Sequence, residues 1–249
     1  MDTWRTWQLI LGELERAHDV LAPTLPGHAG GPPLKGGLSS SGLVDALESM
    51  MDDAGVQSAH IAGNSLGGFL ALALAARGRA RSVVAFAPAG GWAAGDESLE
   101  RTLALQRSMH EELRSIAPHA SALLASSTGR RRATATITEN FEHIPPQLLE
   151  HLMLGVAVCD LEPFIELAHR EGFALDAQAI DCPVRIVWGT ADRLLPWPSC
   201  AIRYREQLLP HADWVELDGV GHCPQLDVPA VAAHLITGFT GARAEPAVR

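Results

Sequence analysis

Three short segments of the chain carry the residue types that nucleophilic hydrolysis needs. Gly63-Asn64-Ser65-Leu66-Gly67 has the form G-x-S-x-G, a serine on a turn too sharp for bulky neighbours. A serine hydroxyl is a poor nucleophile at neutral pH and needs a base. Of the 11 histidines, His222 is singled out by its setting, Asp218-Gly219-Val220-Gly221-His222-Cys223-Pro224, between an apolar strand and the last helix. The base in turn needs an acid that fixes its tautomer and stabilises the imidazolium. Asp192, in Trp188-Gly189-Thr190-Ala191-Asp192, sits just past another strand; Asp218 and Asp160 are weaker alternatives. The Leu66 N–H, at the start of the helix after the serine, is the expected oxyanion donor. Taken alone, the pentapeptide is a weak signal, because a serine there also serves as an ordinary helix cap.

The elements around these segments give them their meaning. Trp4 to Arg16 has apolar residues at helical spacing. Val20-Leu21-Ala22 reads as a short buried strand stopped by Pro23. Ser41 is placed to cap a second helix that ends near Gly55. Gln57 to Ala62 and Ser82 to Ala87 read as strands, with a helix over 66–76 between them. From about 89 to 179 no strand is evident, and helices are expected over 99–116, 146–158 and 162–169. Alternation then returns: strand 184–188, helix 198–209, strand 214–217, helix 228–239. Strands alternating with helices imply a parallel sheet covered on both faces. Parallel strands send their C-terminal ends one way, so Ser65, Asp192 and His222 fall at one edge. His60 precedes Ser65 but should lie inside its strand, pointing into the sheet packing. The other histidines read as structural or surface residues.

Composition sets the outer limits. The chain has 249 residues, 47% hydrophobic and 19% charged, enough for one domain with a large core. A net charge of −10 is the wrong sign for a nucleic-acid binder, and Arg130-Arg131-Arg132 reads as a solvated face. Cys159, Cys182, Cys200 and Cys223 are scattered, as in a reducing, cytoplasmic setting. The longest apolar run, 69–76, is too short to span a bilayer. No metal or organic cofactor is implied. The expected partner is a small-molecule substrate, with a homo-oligomer left open.

Ala-Gly-Asn-Ser-Leu-Gly-Gly at 62–68, Trp-Gly-Thr-Ala-Asp at 188–192 and Gly-His-Cys-Pro-Gln at 221–225 resemble the nucleophile, acid and base segments of the α/β-hydrolase superfamily. Leu21 to Pro33 is similar to the family's fourth-strand loop, with Thr24 where an aspartate usually stands and Gly31 near the usual serine. The resemblance implies an α/β-hydrolase fold, with a core formed by 1–88 and 180–249 and an all-helical cap over 89–179. It implies a triad of Ser65, Asp192 and His222 acting on an ester-like carbonyl of a small, partly apolar substrate. Carbon–carbon bond hydrolases, haloperoxidase-like enzymes and acyltransferases share such a triad. Ser65 argues against a dehalogenase, which carries aspartate there.

The family's first strands and the His-Gly segment that supplies a second oxyanion donor have no counterpart in this sequence. The fold is therefore expected to be N-terminally incomplete, with Met1 an internal start or the chain a fragment of a longer hydrolase. Either Val20 to Thr24 pairs beside 57–62, or an edge of that strand goes unpaired at about 1–3 kcal/mol per buried group. Loss of one oxyanion donor costs about 10²–10³ in rate. The alternative function is a hydrolase-like binding protein, or an inactive truncated product.

Overall fold

The computed structural model describes residues 1–34, 37–92 and 97–241. Four strands, β1 (Ala59–Asn64), β2 (Ala80–Phe86), β3 (Val184–Gly189) and β4 (Asp213–Leu217), pair in parallel in that order. Sequential parallel strands need crossovers, and most of these are helical. The helices are α1 (Gln8–Leu14), entered through a 3₁₀ turn at Trp4–Trp7, then α2 (Ser40–Asp53), α3 (Leu66–Ala76), α4 (Ser98–Ile116), α5 (Ala120–Leu124), α6 (Ser127–Thr134), α7 (Pro146–Val158), α8 (Glu162–Glu171), α9 (Pro224–Asp227) and α10 (Pro229–Phe239). Between β2 and β3 the described residues form no strand.

β2 explains why the sheet must be covered on both sides. Val83 and Ala85 pack with Ala71, Leu72 and Ala75 of α3, while Val84 and Phe86 pack with Ile10 and Leu14 of α1 and with Ala232, Ala233 and Ile236 of α10. All four strand residues are essentially fully buried. Burying both faces is worth roughly 1.5–3 kcal/mol per large apolar side chain.

Four expectations need correction. Val20-Leu21-Ala22 is not a strand, and Val20 and Leu21 are 37% and 49% exposed. Pro23 ends the run before it can make a ladder, and Thr24 instead accepts a hydrogen bond from the Trp4 amide at 3.1 Å. The segment therefore does not pair with β1, which is an edge strand. Along its free side runs a cavity lined in part by Trp7, Val20, Ala59 and Ile61. The helix expected over 198–209 is present only over 202–208, mostly as a π-helical turn, Tyr204–Leu208, and turns occupy 198–201. The cap of α2 is Ser39, whose Oγ accepts from the Gly42 amide at 3.0 Å, not Ser41. His60 lies on β1 as expected but is exposed, with Nδ1 2.8 Å from Ser82 Oγ.

Candidate active site

Ser65 stands on the turn between β1 and α3 with φ 56° and ψ −119°. A non-glycine residue held there stores about 1–3 kcal/mol of strain, so its surroundings must over-determine it. They do. The Ser65 amide donates to Phe86 O at 2.9 Å, and its carbonyl accepts from the amides of Phe69 and Ala89. A Cβ on Gly63 would lie 2.1 Å from Gly67 O, and one on Gly68 would lie 3.0 Å from Pro88 Cα. Gly63 is thus required by space, and Gly68 has little room to spare. A Cβ on Gly67 would meet nothing within 4 Å, so this glycine of the pattern is not explained by crowding. Leu66 opens α3, so its N–H is among those with no partner inside the helix.

His222 and Asp192 meet in the interior. His222 Nδ1 is 2.7 Å from Asp192 Oδ2, with the residues 2% and 4% exposed. The other carboxylate oxygen accepts from the amides of Leu194 and Leu195 at 2.9 and 2.7 Å, which aims Oδ2 at the ring. His222 Nε2 is buried and has no hydrogen-bond partner among the described residues. His222, Ser65 and Leu66 line one cavity of about 1000 Å³. The alternative acids are elsewhere: Asp218 is exposed and accepts from Thr190 Oγ1, and Asp160 is exposed.

Sequence reasoning missed the residues that lock these loops together. Asn64 Nδ2 donates to Phe86 O at 3.1 Å and to His222 O at 3.0 Å, and its Oδ1 accepts from Gln225 Nε2 at 3.1 Å. One amide thereby joins the serine turn to the histidine loop. Gly189 is needed because a Cβ there would sit 2.1 Å from Val220 O, where the Asp192 and His222 loops touch. Asp227, 1% exposed, accepts from the Gly221 amide at 2.6 Å. Their signal was present in Gly-Asn-Ser and in the Gln and Asp after His222, but a polar residue's partner is not written beside it.

The cavity's chemistry is mainly apolar. Leu149, Leu152, Met153, Val156, Phe164 and Phe173 line it on the side of the helices between β2 and β3 and just beyond them. His28, buried against Phe164 at a ring separation of 4.9 Å, also lines it. Burial lowers its pKa from 6.5 to about 3, so it is neutral. The Cys223 thiol is pushed well up by burial; it points at Asn64 Oδ1, 3.3 Å away, and is no competing nucleophile. No disulfide joins the four cysteines, and no group of three potential metal ligands occurs among the described residues. No helix among them is long and apolar enough to cross a membrane.

The chain belongs to the alpha/beta hydrolase family, whose model matches residues 2–235. It is similar to epoxide hydrolase EphH of Mycobacterium tuberculosis, with 31% identity over 206 residues, 81% of this chain and 95% of that protein. Solved structures of similar fold include a 2-hydroxy-6-oxo-6-phenylhexa-2,4-dienoate hydrolase from Rhodococcus (TM-score 0.72, 21% identity, 97% of this chain and 86% of that one). A thermophilic esterase from Thermogutta terrifontis is another (TM-score 0.69, 18% identity, 96% and 86%). This protein is accordingly an alpha/beta-hydrolase enzyme with a parallel sheet flanked by helices.

Proposed function

We propose that the protein is a serine hydrolase that cleaves esters of small, largely apolar acids through an acyl-enzyme. The observation that carries this reading is His222: Nδ1 is held by Asp192, Nε2 is left without a partner among the described residues, Ser65 Oγ included, and His222 and Ser65 line one cavity. An imidazole so held presents its acceptor nitrogen where a hydroxyl proton can be taken. Ser65 Oγ attacks the ester carbonyl carbon while its proton passes to His222 Nε2. The Leu66 N–H donates to the resulting oxyanion. Collapse breaks the acyl C–O bond, and His222 returns the proton to the departing alcohol. Water, deprotonated by His222, then attacks the acyl carbon, and the acid and free Ser65 result. Asp192 holds the ring in place throughout. Residues 97–179 serve as a helical lid whose apolar side chains enclose the acyl chain.

The similarity to an epoxide hydrolase raises a second reading, which the chemistry of Ser65 disfavours. Attack of a serine oxygen on an epoxide carbon yields a β-hydroxy ether, and water does not cleave an unactivated ether. Attack on a carbonyl yields an ester that water does cleave.

The test is intact mass after treatment with a fluorophosphonate, beside Ser65→Ala. One adduct per chain, absent in the variant, is expected, together with turnover of an activated ester. A folded wild type that takes up no probe overturns the serine-hydrolase reading. Turnover of styrene oxide that survives Ser65→Ala would favour the epoxide reading instead.

A further inference from the structure

Asp227 is a carboxylate buried to 1% exposure, and the four hydrogen bonds it accepts all come from N–H groups. Oδ2 accepts from the amides of Gly221 at 2.6 Å and Glu139 at 2.8 Å; Oδ1 accepts from the Asn140 amide at 2.8 Å and its Nδ2 at 2.7 Å. Gly221 immediately precedes His222, whereas Glu139 and Asn140 belong to the stretch between α6 and α7. A buried charge is tolerated only when its lone pairs are filled by good donors, so this carboxylate holds both backbones at once.

The same stretch touches the acid–base pair elsewhere. The Cys223 amide donates to Ile137 O at 2.9 Å, so the residues on either side of His222 are both tied to 137–140. Arg193, next to Asp192, donates to Ala135 O at 2.9 Å and pairs with Glu139 at 2.8 Å. A Cβ on Gly221 would lie 2.9 Å from Ile137 O and 3.1 Å from Asp227 Oδ2, so the contact is close on every side. Thr136 and Ile137 also line the cavity. Substrate-facing wall and catalytic base therefore share one strut.

We propose that Asp227 is a positioning residue for His222, which it fixes against residues 135–140 so that the base is aligned only while that wall is docked. The proposal rests on His222 being the general base. Replacing Asp227 by Asn keeps the size but leaves one acceptor oxygen, and turns an NH₂ toward backbone donors.

The experiment is the rate of fluorophosphonate labelling of Ser65, by intact mass, in a cycle of wild type, Asp227→Asn, His222→Ala and the double variant. Expected are a slowing by about tenfold in Asp227→Asn, and no further slowing when His222 is already absent. Ester hydrolysis should show the loss in kcat with KM unchanged. Labelling of Asp227→Asn within about twofold of wild type, or an equal slowing in both backgrounds, overturns the proposal and leaves Asp227 a purely structural clamp. If Asp227→Asn does not fold, Asn140→Ala enters the same cycle: it removes one of the four bonds, and a slowing of about threefold is expected. No slowing in it, or the same slowing without His222, overturns the proposal. Wild type that does not label sinks the serine-hydrolase reading itself, a result distinct from wild-type labelling that Asp227 fails to affect.

Discussion

At Ser65 a strained backbone, a helix start and a histidine loop converge, and each is stabilised by a different neighbour. Phe86 O and the Ala89 amide hold the turn, and Asn64 ties it to the His222 carbonyl. Single residues in this region also respond to pH in a calculable direction. His28 is neutral in the folded protein down to about pH 3, whereas unfolded it titrates near 6.5. Between those values the unfolded chain binds the extra proton, so stability falls as pH falls from 6.5 toward 3. The slope is about 1.4 kcal/mol per pH unit. His28→Phe keeps the ring against Phe164 and removes the titration. Urea unfolding at pH 6.5 and at pH 5 should show wild type losing about 2 kcal/mol more than the variant; equal losses would mean that His28 is not the group responsible.

Among the elements, the β1–α3 turn distinguishes glycines that share a motif but not a purpose. Gly63 must be glycine because Gly67 O occupies the place of a Cβ, whereas a Cβ at Gly67 meets open space. Gly63→Ala should destabilise by about 1–3 kcal/mol and abolish fluorophosphonate labelling as the turn shifts. Gly67→Ala should melt at or above the wild-type temperature, since alanine favours helix over glycine by about 1 kcal/mol. Thermal melts of the two variants, read beside their labelling, decide the matter. A destabilised Gly67→Ala would mean that its neighbours close in more tightly than the spacing indicates. Gly189 and Gly221 belong with Gly63, since each lies where two backbones approach too closely for a side chain.

For the molecule as a whole, the C-terminal edge of the sheet and the free side of β1 share one cavity of about 1000 Å³, walled in part by leucine, methionine, valine and phenylalanine. A wall of that kind rewards each buried methylene by about 0.8 kcal/mol, close to fourfold in kcat/KM. Nitrophenyl esters lengthened from acetyl to hexanoyl should therefore rise steadily in kcat/KM, through KM and kcat together. A flat or falling series would mean that the acyl group does not enter this chamber. The sequence itself determined the strand–helix alternation, because β2 must be apolar on both faces and α3 must begin where the glycines end. It also placed Ser65, Asp192 and His222 at one edge of the sheet, because each follows a strand of a parallel sheet and all such ends point one way. Local pattern failed at Val20 to Ala22, where Pro23 cuts an apolar triplet short before it can pair, and at 198–201, where turns replace the first part of the expected helix. Only the tertiary structure decided that Asp192 rather than Asp218 meets His222, and that Asn64 and Asp227 fasten its loop. Those choices depend on distances between residues up to 161 positions apart, and no spacing along the chain encodes a contact that exists only after the sheet has closed.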